Sequence, residues 1–445
     1  MLPAPTSARR SRRPPADAPV PSARAARARA FAALCRGWRT CLVLVALAAP
    51  ATAVAQGGAD PLSFRAGRAV EVDVDASLRV DARDVGVSPE SAPDLLDVSR
   101  ARLGLDVRLW RRLDLQVERD FRDAPQPWRD VFANLEIARA LEVRAGRFKA
   151  PFSTERLNSG LAIDFVYRSL AASQIAPVRD TGVMVHGEVL RRRVGYQVGV
   201  FRAGGEEDDE PVPTAESRVT RRSGALVTGR AVLTPWARAR RRALRDLNFA
   251  AAVARGTVPE GRNSLDVRAV FGDRLFPHLE VNGRRTRVAG SADWRHGPFG
   301  AAGEWIRSTD ERLGQGTDDD DLPPVVASGW HAQATWMVTG EDKDDRVAPD
   351  RPLLRGGAGA IEAAVRFEEI RMGGPDTGEP RSRSPRARSV IEPSQRVWTL
   401  GVNWYPVRWV KVQANVIRED RNADAAALTG RARVWSRVVR AQVGL

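Results

Sequence analysis

The chain has 445 residues, of which 43% are hydrophobic and 28% charged, a balance that excludes an intrinsically disordered protein. Its formal net charge is +15, and arginine carries almost all of the positive charge. Residues 1–55 contain nine arginines and one aspartate, so residues 56–445 carry only +7. The basic character therefore comes partly from one terminal segment, and we expect no nucleic-acid partner.

The N-terminal segment has the features of a secretory signal peptide. A basic stretch runs to Arg39, the apolar run Cys41–Pro50 follows, and small residues occupy Ala53 and Ala55. The apolar run is shorter than the roughly 20 residues of a membrane-spanning helix. We therefore predict a signal peptide at residues 1–55 and one mature domain at 56–445. Both cysteines fall in the first segment, so the mature domain has neither disulfides nor thiolate metal sites.

Apolar and polar residues alternate in many segments of the mature domain. In Val70–Val80 every even position is apolar and every odd position is polar or charged. Such a run matches a tilted membrane strand, which needs roughly 9–11 residues. The same pattern recurs in Ala101–Leu109, Leu113–Glu118, Val131–Ile137, Val183–Val189, Val194–Phe201, Leu247–Ala254, Ser264–Phe271, Arg284–Trp294, Phe299–Arg307, Gly329–Thr339, Ala360–Phe367, Val397–Tyr405, Trp409–Ile417 and Arg433–Leu445.

The connections between these strands are of two kinds. Some are very short, as at Tyr405–Trp409, whereas others are long and polar: Gly204–Arg222, Leu313–Pro324, Glu341–Pro352 and Met372–Pro393. Short periplasmic turns and long extracellular loops are typical of outer-membrane barrels. A soluble β-sandwich or β-helix is the rival fold, but sandwich strands are usually nearer about five or six residues. The pattern predicts an all-β protein, a transmembrane antiparallel β-barrel.

Several motifs, in order along the chain, resemble the phosphate-selective porin O and P family. They are Arg144–Glu155, Ala176–Gly187, Gly195–Phe201, Gly329–Glu341, Gly359–Arg366 and Gly401–Tyr405. The chain departs from the family in ending on Leu445 instead of an aromatic residue, in having Ser153 where glycine is frequent, and in its scarcity of lysine.

The resemblance implies a channel of the bacterial outer membrane. It implies about 16 strands, assembly as a homotrimer, and loops that fold inward to narrow the pore. The surrounding partners would be outer-membrane lipid and lipopolysaccharide, and the solutes would be small anions such as phosphate or polyphosphate.

The candidate solute path consists of basic side chains. If Leu103 and Leu105 face lipid, alternation turns Arg100, Arg102 and Arg108 to the lumen. The segment Pro151–Arg179, between two strands, is the best candidate for an inward constriction loop. The arginine fork can donate two hydrogen bonds to one oxyanion. We therefore predict solute contact for the basic residues in and before this segment, namely Arg147, Lys149, Arg156, Arg168 and Arg179.

Other interpretations remain open at this point. The arginines could simply pair with lumenal carboxylates such as Asp106, Glu136, Glu155 and Asp180. The protein could also be an unselective porin or a plugged structural or adhesive barrel. An enzyme is not predicted, because no G-x-S-x-G or similar nucleophile motif occurs. No cofactor or metal is predicted either, because the histidines lack metal-ligand spacing: His186, His278, His296 and His331.

Overall fold

A computed structural model describes residues 63–85 except 68, 96–122, 127–202, 224–258, 268–270, 273, 275, 279, 281–373 except 317, and 392–445. The predicted signal peptide at residues 1–55 lies outside the described residues. So does the loop predicted at Gly204–Arg222, and most of the one predicted at Met372–Pro393. Of the strand predicted at Ser264–Phe271 only 268–270 are described, and they belong to none of the strands of the structure.

Strands dominate the described residues. In chain order they are β1 (Ser63–Ala66), β2 (Val70–Val85), β3 (Leu96–Leu109), β4 (Leu113–Asp120), β5 (Trp128–Ala138), β6 (Leu141–Lys149), β7 (Arg179–Val189), β8 (Val194–Phe201), β9 (Leu226–Leu233), β10 (Asn248–Val258), β11 (Gly283–His296), β12 (Phe299–Arg312), β13 (Leu322–Met337), β14 (Ala360–Gly373), β15 (Ser394–Val407), β16 (Val410–Arg421) and β17 (Arg433–Gly444).

Three short α-helices and two turns of 3₁₀ helix lie in the parts of the connections that the structure describes. The α-helices are α1 (Thr154–Leu157), α2 (Leu170–Gln174) and α3 (Ala423–Thr429), and the 3₁₀ turns are Arg242–Leu244 and Leu353–Arg355. Among the described residues, no helix is both long and apolar enough to cross a bilayer.

Strands β2–β17 form a closed barrel of 16 antiparallel strands. Each strand pairs with its neighbour in the chain, and β17 pairs with β2 from Ser436 opposite Val85 to Gly444 opposite Ser77. The short β1 pairs with the first residues of β2, Ser63 lying opposite Asp73. Closure leaves no strand edge unpaired, which a lipid environment requires because it offers no hydrogen bonds to a free edge. The predicted barrel is confirmed.

Alternation assigns one face of each strand to the lumen and the other to the outside. On β17, Trp435 is 55% exposed whereas Ser436 and Arg440 are almost fully buried. On β3, Leu103 and Leu105 are exposed and Arg102 is buried. Apolar side chains lie on the outer face because lipid does not penalise them, and charged side chains lie on the inner face where they pair or meet water.

The connections at the two ends of the barrel differ in length. Five connections at one end have two to four residues: 110–112, 139–140, 190–193, 297–298 and 408–409. We assign this end to the periplasm. Segment 338–359 also lies there, although the sequence groups Glu341–Pro352 with the long loops. It is long because it folds inward: Val347 is buried against Met337, Ala360 and Tyr405.

Candidate functional site

The barrel interior is divided by the connection between β6 and β7, residues 150–178, which we call the constriction loop. It contains α1 and α2 and lies inside the barrel, where Phe152, Phe165 and Val166 are buried. The sequence predicts an inward loop over Pro151–Arg179, and the structure places it there.

Side chains of β16 and β17 hold the middle of the constriction loop. The backbone N–H of Val166 donates to Asn415 Oδ1 at 2.7 Å, and Arg440 Nη1 donates to the Val166 carbonyl at 2.6 Å. Lys411 Nζ donates to the Ile163 carbonyl at 2.7 Å. These buried wall side chains satisfy backbone groups of the loop that water would otherwise have to reach. The loop is therefore fixed against this wall.

Two carboxylates on the same side of the barrel bind the starts of the two helices of the constriction loop. Glu304 on β12 accepts from the backbone N–H of Thr154 at 2.6 Å and from Ser153 Oγ at 2.7 Å, at the start of α1. Glu368 on β14 accepts from the backbone N–H of Leu170 at 2.6 Å, at the start of α2. A negative charge is favourable where a helix presents free N–H groups. The two helices are thus docked to β12 and β14.

The inward segment 338–359 meets the constriction loop from the periplasmic end. Lys343 Nζ contacts the carboxylates of Asp164, in the loop, and Glu362, on β14. Burial alone would lower the pKa of Lys343, but the Asp164 and Glu362 charges hold it above its ordinary value. Farther along, Arg346 reaches 4.0 Å from Asp75 on β2. The segment therefore extends across the lumen.

A cavity of about 340 Å³ lies on the other side of the constriction loop, against strands β2–β8. Three carboxylates line it: Asp75, Glu118 and Asp130. Six basic side chains line it: Arg100, Arg102, Arg144, Lys149, Arg179 and Arg346. The cavity therefore has an excess of fixed positive charge. Such charge lowers the energy of an anion in a narrow aqueous path.

The loop approaches this basic wall most closely at Gly160. A Cβ on Gly160 would lie 2.6 Å from Arg79 Nη2 and 2.7 Å from Arg100 Nη2. Arg79 and Arg100 are cross-strand partners on β2 and β3. Any larger residue would have to push these guanidinium groups aside, so glycine sets the distance between loop and wall.

The sequence profile of the phosphate-selective porin O and P family matches residues 72–444, most of the chain. The chain belongs to this family. Membership of this porin family and the closed barrel place the protein in the bacterial outer membrane and indicate a channel instead of an enzyme.

Solved structures share the fold. The outer membrane channel DcaP of Acinetobacter baumannii aligns with a TM-score of 0.52 and 12% identity, covering 86% of this chain and 100% of its own. The outer-membrane protein OmpT of Vibrio cholerae aligns with a TM-score of 0.50 and 12% identity, with the same coverage. No curated protein sequence matches the chain. At these identities the likeness concerns the fold alone.

Four of the eight predicted contact residues of this porin line the cavity: Arg100, Arg102, Lys149 and Arg179. Arg102 also bonds Asp120 and Glu118, both at 2.8 Å, and Arg179 bonds Asp130 at 2.7 Å. Lys149 Nζ donates to the Asn158 carbonyl at 3.0 Å. Arg102 and Arg179 therefore line the cavity and also pair with carboxylates, which is the alternative that the sequence left open.

The other four predicted residues lie away from the cavity. Arg108 bonds Asp114 at 2.5 Å near the periplasmic turn, and Arg147 donates to the Trp128 carbonyl at 3.0 Å. Arg156 donates to the Ala172 carbonyl at 2.9 Å, and Arg168 donates to the Asn158 carbonyl at 2.8 Å. Arg156 and Arg168 are buried within the loop that they cross-link. Both residues stabilise the loop, because its bend needs donors for inward-turned carbonyls, and their contact with solute stays a prediction.

Sequence reasoning missed Arg79, Arg144 and Arg346. Alternation in Val70–Val80 puts Arg79 on the lumenal face, so the signal for it existed. Arg144 lies over the Phe132 ring at 4.3 Å, and the alternation of β6 also carries its signal. Arg346 reaches the cavity only because segment 338–359 folds inward, and nothing in the local sequence predicts that.

Proposed function

We propose that this porin passes small anions, and that phosphate or polyphosphate is among them. The observation that carries the proposal is the excess of basic over acidic side chains in the cavity between the constriction loop and β2–β8. Arg102 and Arg179 each hold carboxylates already, which keeps the guanidinium groups oriented. Arg100 and Arg144 add charge whose planar forks suit tetrahedral oxyanions. The family description supports phosphate as a solute.

We also propose that the porin assembles as a homotrimer through the outer faces of β7–β9. Exposed side chains there are small and aliphatic: Val183, Val185, Val198, Val200 and Val227. The outer faces of β12–β17 carry an aromatic belt instead: Trp305, Trp330, Trp398 and Trp435. Tryptophan prefers the lipid interface, so the belt supports a lipid-facing role for β12–β17 and leaves β7–β9 for protein.

The partners at the belt are outer-membrane lipid and lipopolysaccharide. Exposed arginines lie on the outer face nearer the extracellular loops: Arg307, Arg371 and Arg396. Guanidinium groups beside tryptophans suit the phosphates of lipid headgroups.

The test of anion passage is a reversal potential across a planar bilayer with a potassium chloride gradient. We expect the sign of the reversal potential to show a preference for chloride over potassium. We also expect added phosphate to block the chloride current. The double variant Arg100→Gln, Arg102→Gln should shift the reversal potential toward the potassium value. Arg437→Gln, on the outer face, is the matched control and should leave it unchanged.

Two other results would contradict anion passage, and each would indicate a different function. A reversal potential near zero, with no block by phosphate, would indicate an unselective porin. Folded protein that inserts but conducts nothing would indicate a plugged structural barrel.

A further inference from the structure

Three titratable side chains from separate parts of the chain meet where the constriction loop touches the wall. Glu304 on β12 and His331 on β13 are direct cross-strand partners, and Glu155 belongs to α1 of the loop. One potential ligand atom from each lies within 4.8 Å of the other two. Ligand atoms of a tetrahedral zinc ion bound at about 2.0–2.2 Å are separated by less than this, so small side-chain movements suffice.

The imidazole of His331 supplies an independent sign of a missing ligand. His331 is 96% buried, since its exposed fraction is 4%. Among the described residues, no group makes a hydrogen bond with its Nδ1, and Glu155 Oε2 lies 3.8 Å away. A buried nitrogen without a partner is costly, and native proteins generally satisfy such atoms. The distance between Nδ1 and the Glu155 carboxylate is too long for a direct hydrogen bond, and an ion between them would satisfy the nitrogen.

The charges around the three ligands are mixed. Arg366 lies 3.2 Å from Glu155 and 3.4 Å from Glu368, and Arg168 also acts on Glu155. Glu304 accepts hydrogen bonds from the uncharged donors Ser153 and Thr154, and its charge interacts with Arg230. A divalent cation bound to Glu304 would compensate its buried charge directly.

We propose that Glu155, Glu304 and His331 bind a divalent metal cation such as Zn²⁺. One imidazole nitrogen and two carboxylate oxygens form a ligand set that suits Zn²⁺, with a fourth position left for water. A cavity of about 100 Å³ borders Glu155 and His331 and leaves room for water beside the ion. Hard cations such as Mg²⁺ prefer all-oxygen sites, so they bind here weakly.

The site would lock the constriction loop to the barrel. Two ligands come from adjacent wall strands and the third from the loop, so the ion adds metal–ligand bonds between elements that hydrogen bonds, ion pairs and apolar packing already connect. The sequence gives no sign of this site, because its ligands are 27 and 149 residues apart. Histidine spacing within one segment therefore cannot detect it.

The test measures zinc binding by the folded protein in detergent, after chelator treatment, by equilibrium dialysis with elemental analysis. Wild type should bind one Zn²⁺ per chain, and excess Mg²⁺ should not displace it. His331→Ala should weaken binding by at least about tenfold. A cobalt-substituted sample should show the visible absorption of a tetrahedral site, which His331→Ala lacks.

His186→Ala is the matched control. His186 also lies on the lumenal face, 3.8 Å from the carboxylate of Glu142, but its Nε2 is 2.8 Å from Asn134 Oδ1. This variant should bind zinc as wild type does. Absence of zinc from wild type, or equal binding by the His331 and His186 variants, would overturn the proposal. Neither result depends on ion selectivity, so anion passage stands or falls separately.

Discussion

Arg102 lies in the lumen because it alternates with Leu103 on a strand whose other face is exposed to lipid. The same alternation predicts that Arg100 lies in the lumen, and it would have predicted this position for Arg79 too. The rule fails once the chain leaves a strand. Arg156 and Arg168 are as basic as Arg100, yet their guanidinium groups donate hydrogen bonds to backbone carbonyls of the constriction loop. Residue type and charge alone do not distinguish an arginine that meets solute from one that stabilises a loop.

Gly160→Val should lower single-channel conductance. The added side chain would meet the guanidinium groups of Arg79 and Arg100, whose ends are flexible and would move into the cavity. The fold should survive, at a cost of about 1–3 kcal/mol at most. Gly290→Val is the control, since a Cβ there meets nothing within 4 Å. Equal conductance of the two variants in bilayer recordings would contradict the tight approach at Gly160.

At the scale of elements, the sequence predicts most strands and only part of the inward segments. Alternation locates every barrel strand except β6 and β9, which are not predicted, and the long stretch between β6 and β7 indicates an inward loop. The path of that loop depends on side chains far along the chain, such as Asn415 and Arg440, which bond Val166. Segment 338–359 gives no local signal, because Lys343 finds its partners Asp164 and Glu362 only in the closed barrel.

Lys343→Ala should destabilise the barrel by about 3–5 kcal/mol, because it leaves the buried Glu362 carboxylate without its ammonium partner. Urea unfolding of detergent-folded protein measures this difference. Arg355→Ala, an exposed arginine of the same segment, should stay within about 0.5 kcal/mol of wild type. A loss of similar size in both variants would show that the Lys343 contacts contribute nothing specific.

The Lys343 contribution should also depend on pH in a defined direction. Its pKa in the folded protein is raised above the ordinary 10.5. The folded state therefore holds the proton more tightly, and the stabilisation is fully present below pH 10.5 and declines as the pH rises through the folded pKa. The stability difference between wild type and Lys343→Ala, followed from pH 8 upward at roughly one-unit steps, should stay constant and then shrink. A decline that is already complete below pH 10.5 would contradict the raised pKa.

At the scale of the whole molecule, the two walls of the lumen differ in the balance of their buried charges. On β12–β16 six buried carboxylates face four buried basic side chains, whereas on β2–β7 six buried arginines face three buried carboxylates. The constriction loop is bonded to the acidic side through its backbone N–H groups and helix starts. The remaining path therefore runs along the basic side, which supports the proposed preference for anions.

Modification of a cysteine at Ser159 tests this path most directly. Ser159 is exposed on the loop and lines the basic cavity, and the natural cysteines, Cys35 and Cys41, both precede the barrel. We predict that a negatively charged thiol reagent on Ser159→Cys lowers single-channel conductance and weakens anion preference. The same reagent on Leu400→Cys, on the outer face of β15 and away from the proposed trimer interface, should change neither. Full modification of Ser159→Cys, verified by mass, with unchanged conductance would contradict a path between the constriction loop and the basic wall.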